Sequence, residues 1–389
     1  MKTLIAGALL ASTLTTPSAA PGGCVPSWNV VDTSAISPAG TYPQDVTVFS
    51  DREALFTGSS SNGSPTAWSG DLRGGRPRDN TRPPVPPYTR QSAEASSFHS
   101  PSGGWLLLDH MGTGADTTQA ARWDGRRWTL HPTAVSPAAA TTGLYLADVA
   151  SVSKNDAWAV GYTYGAKKGD LNPPTAALIE HWDGRRWSIV ENPASGRPES
   201  ILRAVTAVSP DDVWAVGNQR DADGVISPLV QHFDGTRWTE VPATHPTGAL
   251  FAVSGTGPDD VWAVGSRRRD GTDNQATALV MHWDGTAWNS VTTLPDLGNS
   301  RLDSVYAAAP GSVWAVGDVG PGQEEEFLHW DGSAWTTISH PGPRMNGLTY
   351  NFLDVHGSGP DNVWAVGVTV SEVAQEVRPT AARLTCGKG

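Results

Sequence analysis

Apolar residues in this chain fall in short runs broken by polar turns, with no long amphipathic stretch. The segment from Leu202 to Val241 shows the unit. LRAVTAV is followed by Ser-Pro-Asp-Asp, then by VWAVG ending at Gly217, a polar connection, PLVQHF, the turn Asp234-Gly235-Thr236-Arg237, and WTEV. Val- and Trp-rich runs punctuated by Pro-Asp and Asp-Gly are the signature of short strands joined by tight turns. The pattern predicts four antiparallel strands per unit.

The unit recurs. WAVG stands at Trp158, Trp214, Trp262, Trp314 and Trp364, while SPSGGWLLL puts Trp105 in the same slot and FSDREALFTG puts Leu55 there. Successive slots lie between 48 residues (Trp214 to Trp262) and 56 residues (Trp158 to Trp214) apart. A second signature follows each slot: RWDGRRW from Arg122, HWDGRRW from His181, HFDGTRW from His232, HWDGTAW from His282 and HWDGSAW from His329. Here the Asp would accept backbone hydrogen bonds and the Gly supply the positive φ of a tight return. Four strands per repeat of this period make a propeller blade, and seven slots predict an all-β, seven-bladed β-propeller with four-stranded antiparallel blades. Of the 17 tryptophans, all but Trp28 and Trp68 occupy repeat positions, which assigns them to packing between blades rather than to a sugar-stacking platform.

The last repeat runs through AARLTC and stops before a WDGxxW turn and a fourth strand. SWNVV, residues 27–31, matches RWSIV at the end of the third repeat and is expected to complete that blade from the opposite terminus. Cys24 and Cys386 then fall where the missing turn would be, and a disulfide between them is the expected staple.

Residues 1–20 read as a secretory signal, with Lys2, the apolar run Leu4 to Leu10 and the small residues Ser18-Ala19-Ala20, so one domain over 21–389 is expected outside the cell. No stretch is long enough to span a bilayer. A net charge of −12 argues against nucleic acid, which needs a basic stripe, and leaves an extracellular protein or glycan as the partner. Residues 72–91, RGGRPRDNTRPPVPPYTR from Arg73 within them, read as an exposed insertion replacing the fourth strand of blade 1.

Together the WAVG and HWDGxxW repeats and the circular closure resemble secreted bacterial seven-bladed β-propellers of the kelch and Asp-box kind, over about Ser27 to Cys386. The resemblance implies the fold and leaves activity open, because such propellers serve as enzymes, lectins and protein-binding hubs. The sialidase Asp-box has the form SxDxGxTW, and the turn here, as in FDGTRW, is one residue shorter, so no sialidase residue is carried over. Copper-dependent galactose oxidases use a cysteine-crosslinked tyrosine, whereas both cysteines here are assigned to closure.

In a four-stranded meander the first and third turns share one rim, and the second and fourth connections share the other. The former are short and alike here; the latter vary, which marks the binding rim. Arg267, Arg268 and Arg269 from one loop, beside Tyr162 and Tyr164 from another, are candidate contacts. Ten residues before the Trp slot stand Asp45, Asp148 and Asp354, with Asp303 one residue earlier in blade 6 and Arg203 in blade 4. Innermost strands encircle the channel, so these residues would converge there. Asp45, Asp148 and Asp354 would be oxygen ligands for a hard cation such as Ca²⁺, or strand ties, or a glycosidase acid/base pair. His181, His232, His282 and His329 repeat around the ring and are structural, while His99 and His356 on innermost strands are freer. With no catalytic motif in a credible context, the expected function is a non-catalytic module binding protein or carbohydrate, and the competing one is a polysaccharide hydrolase or lyase.

Overall fold

The computed structural model describes residues 24–388 apart from 32, 34–39, 61–63, 72–77, 81–82, 84–89, 112–117, 135–141, 166–174, 245–246, 269–274, 320–325, 340–347 and 372–375. The expected signal segment, residues 1–20, lies outside the described residues. Seven four-stranded antiparallel sheets form a ring, a seven-bladed β-propeller. Blade 4 runs Ser200–Ser209, Asp212–Arg220, Ile226–Phe233 and Trp238–Glu240, as the repeat pattern predicts. No helix among the described residues is long and apolar enough to cross a membrane.

Each blade packs face to face on its neighbours, so the second strand is covered on both sides. That burial explains its unbroken apolar run: Val213, Trp214, Ala215 and Val216 are all at most 1% exposed. Tryptophans carry the inter-blade contact. The slot Trp of one blade meets the fourth-strand Trp of the next edge to face, with Trp105–Trp187 at 4.9 Å, Trp158–Trp238 at 5.3 Å, Trp214–Trp288 at 5.4 Å and Trp262–Trp335 at 5.5 Å. Trp28 takes this role for blade 7, with its ring 5.2 Å from Trp314. The strand Cys24–Val30 pairs with the last strand, Trp28 opposite Leu384, and so closes the circle as the terminal match predicts. The same register sets Cys24 opposite Lys388 and Cys386 opposite Pro26; the two cysteine side chains lie outside the described residues.

Two glycines show why the repeat needs them. In the Asp-Gly turn, Asp234 Oδ1 accepts the N–H groups of Thr236 and Arg237 at 2.9 and 3.0 Å, and Gly235 adopts φ +87°. Gly217 ends VWAVG against a bulge in the innermost strand, where a Cβ would lie 2.1 Å from the Ile201 carbonyl oxygen. The repeated histidines are structural. His232 stacks on Trp214 at 4.1 Å between centroids, and its Nε2 lies 2.7 Å from the first-turn carboxylate Asp212.

Blade 1 departs from expectation. Arg78–Asn80 pairs with Ala67–Ser69 as a short fourth strand, so the insertion supplies the strand it was expected to replace. Three ladder pairs suffice even in a Pro- and Arg-rich context, because the neighbouring strand offers its free edge.

Candidate functional site

The bulge next to the WAVG glycine recurs in every innermost strand, and it sorts the channel-facing residues into two layers. In blades 3 to 7 it falls between Leu146 and Asp148, Leu202 and Ala204, Leu250 and Ala252, Leu302 and Ser304, and Phe352 and Asp354. The bulged residue itself stands eleven positions before the Trp slot: Gln44, Glu94, Ala147, Arg203, Phe251, Asp303 and Leu353. The next position is Asp45, Ala95, Asp148, Ala204, Ala252, Ser304 and Asp354. Asp45, Asp148, Arg203, Asp303 and Asp354 therefore all line one channel, of about 730 Å³, but do different things.

The aspartates of the second layer staple blades together. Asp45 Oδ2 accepts the Ser96 N–H at 2.7 Å and its hydroxyl at 2.8 Å. Asp148 Oδ2 accepts Val205 N–H at 2.8 Å, and Oδ1 its own neighbour Val149 N–H at 2.7 Å. Asp354 Oδ2 accepts Val46 N–H at 3.0 Å, and Oδ1 the Ser304 hydroxyl at 2.7 Å. In each case the next blade's innermost strand supplies a backbone N–H donor just past its bulge. Each aspartate therefore ties its neighbour's strand, and Asp148 ties its own as well. Burial, then the like charge of Asp354, raises Asp45 well above the usual carboxylate range, and the protonated carboxyl hydrogen bonds Asp354. Burial pushes Asp148 up to about 7.

Among the described residues no three His, Cys, Asp or Glu side chains form a group that could hold a metal ion. Asp45, Asp148 and Asp354 stand in one channel, but their oxygens are engaged by backbone N–H and serine donors. His356 is engaged as well: Nδ1 accepts Val48 N–H at 3.2 Å, and the ring stacks on Tyr306 at 4.9 Å. His99 Nδ1 lies 2.8 Å from the Ser151 hydroxyl.

The bulge layer opens onto the rim of the variable loops and builds an aromatic and charged arc. Tyr145 donates to Glu94 Oε2 at 2.5 Å, and its ring lies 5.2 Å from that of Tyr162. Burial, then the Glu94 charge, raises Tyr145, and burial raises Tyr162, so both phenols are protonated at neutral pH. Phe251 lies between two guanidinium groups, Arg203 at 5.3 Å and Arg301 at 4.6 Å. Asp303 pairs with Arg301 at 2.5 Å. Arg203 Nε donates to Asn218 Oδ1 at 2.9 Å.

Arg203 and Phe251 also line a second concavity, a groove of about 870 Å³ between blades 4 and 5 on the same rim. Arg220, Arg267 and Arg268 line it too. The sequence-predicted cluster thus divides. Arg267 and Arg268 line the groove with Arg203, Tyr162 packs on Tyr145, Tyr164 covers Gly143 in its own blade, and Arg269 lies outside the described residues. Glu94, Tyr145, Phe251, Arg220 and Arg301 had escaped notice. Glu94 and Phe251 share the Arg203 column, in which successive blades carry unlike residue types, whereas Tyr145, Arg220 and Arg301 lie outside it.

No protein-family model and no curated protein matches the sequence. Solved structures are similar in fold. YCF48 from Cyanidioschyzon merolae is 13% identical over 92% of this chain and 98% of that one, with a TM-score of 0.50. A PL25 ulvan lyase bound to -[GlcA(1-4)Rha3S]- is 9% identical over 90% and 95%, with a TM-score of 0.57. The lectin BP39L from Burkholderia pseudomallei is 16% identical over 87% and 95%, with a TM-score of 0.51. At these identities the likeness shows the fold.

Proposed function

We propose that this protein is a secreted, non-catalytic binding module that takes carbohydrate on its variable-loop rim, over the channel mouth. One observation carries the reading: Phe251 lines the channel and Tyr145 is hydrogen-bonded to the channel residue Glu94, so aromatic rings stand among charged hydrogen-bonding groups outside the inter-blade packing that consumes the tryptophans. Tyr145 and Tyr162 flank Glu94 and Arg203, and Phe251 lies between Arg203 and Arg301. An apolar face beside a few convergent polar groups is the usual make-up of a small-ligand site. Sharing a fold with a lectin and with a sugar-bound lyase is consistent with this assignment.

Asp45 and Asp354 do not have the spacing of a glycosidase acid/base pair. Asp45 and Asp354 are in hydrogen-bond contact, whereas retaining enzymes separate their carboxyls by about 5–5.5 Å and inverting ones by about 6.5–9.5 Å. A polysaccharide lyase or hydrolase is the competing reading, and its specific support is the Tyr145–Glu94 pair near Arg203. A glycan array with product analysis by mass spectrometry separates the two. Phe251→Ala and Tyr162→Ala are expected to weaken glycan binding by about tenfold or more, the scale of an aromatic contact residue, with the melting temperature little changed. Product release that Glu94→Gln abolishes would establish the enzyme instead.

A further inference from the structure

We infer that the groove between blades 4 and 5 is a subsite for the anionic substituent of an acidic sugar, a carboxylate or a sulfate. This rests on the carbohydrate reading and narrows its ligand to an acidic oligosaccharide.

The first reason is charge. Arg203, Arg220, Arg267 and Arg268 line the groove, where Asp223 is the one carboxylate among the described lining residues, in a chain whose net charge is −12. Guanidinium groups gathered at one cavity repel one another, and a bound anion relieves that repulsion. Arginine is also the side chain whose planar fork matches a carboxylate or sulfate with two parallel N–H bonds.

Second, protein partners only partly satisfy Arg203, Arg220 and Arg268. Arg220 meets Glu199 at a loose 3.8 Å, with both side chains over 40% exposed. Arg268 makes no hydrogen bond or ion pair among the described residues, and Arg203 commits Nε to Asn218. The contrast with Arg301, neutralised by Asp303 across the same phenyl ring, leaves Arg203 as the charged side of the pair. Burial and the like charge of Arg301 both work against the Arg203 proton, a cost that a bound anion would reverse.

The third reason is continuity. Arg203 and Phe251 belong to both the channel mouth and the groove, so a sugar ring lying on Phe251 has its substituents beside Arg203. The groove is within the size of ordinary ligand sites.

Titration calorimetry with an oligogalacturonide, its methyl ester, a sulfated galactan oligosaccharide and polyglutamate tests the assignment. The ester keeps the sugar rings and loses only the charge. The wild type is expected to bind the oligogalacturonide or the sulfated oligosaccharide at least about tenfold more tightly than the ester, with affinity falling as salt rises. Binding of only one of the two acids supports the subsite and tells carboxylate from sulfate. Arg268→Gln and Arg220→Gln, both at exposed positions, are each expected to lower acid binding several-fold and leave ester binding unchanged. Equal affinity for acid and ester, or no effect of either arginine variant, overturns the subsite while sparing the carbohydrate reading. Polyglutamate binding as tight as the acidic sugar also overturns it, because the groove would then be a general polyanion surface. Failure of every sugar, ester included, removes the carbohydrate reading and the subsite with it.

Discussion

Trp28→Ala is expected to lower the unfolding free energy by about 3–5 kcal/mol, the range for truncating a large aromatic in a core. The residue lies 356 positions in sequence from its partner Leu384, yet it is 3% exposed and sits where blades 2 to 6 place their fourth-strand Trp. Its ring stacks on Phe327 at 4.1 Å and meets Trp314 edge to face at 5.2 Å, so truncation opens a cavity between blades 6 and 7. The same change also weakens the seven-pair ladder from Cys24 to Val30 that joins the termini. Urea unfolding followed by tryptophan fluorescence measures the loss. Ile189→Ala, at a 40% exposed site in the fourth strand of blade 3, serves as the control and should cost under about 1 kcal/mol. A Trp28→Ala loss no larger than that control would mean the terminal strand does not close the ring.

Glu180→Gln should make the protein more stable at pH 8 and leave it nearly unchanged at pH 4. Glu180 is fully buried in the third strand of blade 3; Oε2 accepts the Ala134 N–H at 3.0 Å, and Oε1 has no partner among the described residues. Blade 4 carries Gln231 at the equivalent place, also fully buried, opposite Ala215 as Glu180 is opposite Ala159. Burial pushes the Glu180 carboxyl from its ordinary 4.5 up to about 7. The folded state therefore holds the proton more tightly than the unfolded chain. Stability from this group is fully present below about pH 4.5 and is lost as pH rises through about 7. The shift corresponds to about 3 kcal/mol by pH 8. Asp148, raised to about 7 as well, loses stability in the same direction, so the difference between variant and wild type isolates Glu180. Chemical denaturation across pH 4–8 should show that difference growing with pH. A difference that stays flat would place the ionised carboxylate in a solvated or paired setting.

The repeats made the wheel legible because its physics is repeated. A strand covered on both faces must be apolar throughout, a tight Asp-Gly return needs its carboxylate and its glycine, and a wedge between blades needs a large ring. Trp28 could be placed for the same reason, since its strand fills a vacancy left in the last repeat. The site was only half legible. Asp45, Asp148 and Asp354 were visible as a column, but whether their oxygens face the channel or the next blade's N–H groups depends on a bulge that no residue type announces. Arg203 and Asp303 were visible as exceptions to that column; they belong to the bulge position one residue earlier, with Glu94 and Phe251. Arg220 and Arg301 could not be found this way. Arg220 lies on the strand paired with that of Arg203 but outside the repeated slots, and Arg301 comes near Arg203 only because blades 4, 5 and 6 are brought round the axis.

Hydrogen–deuterium exchange with saturating oligogalacturonide tests most directly where the ligand sits. Slowed exchange is expected in Leu202–Ala204, Asn218–Ile226, Gly248–Ala252 and Ser266–Arg268, the backbone around the channel mouth and the groove between blades 4 and 5. Protection confined to the opposite rim, at the turns Asp183–Arg186, Asp234–Arg237 and Asp284–Ala287, would contradict it.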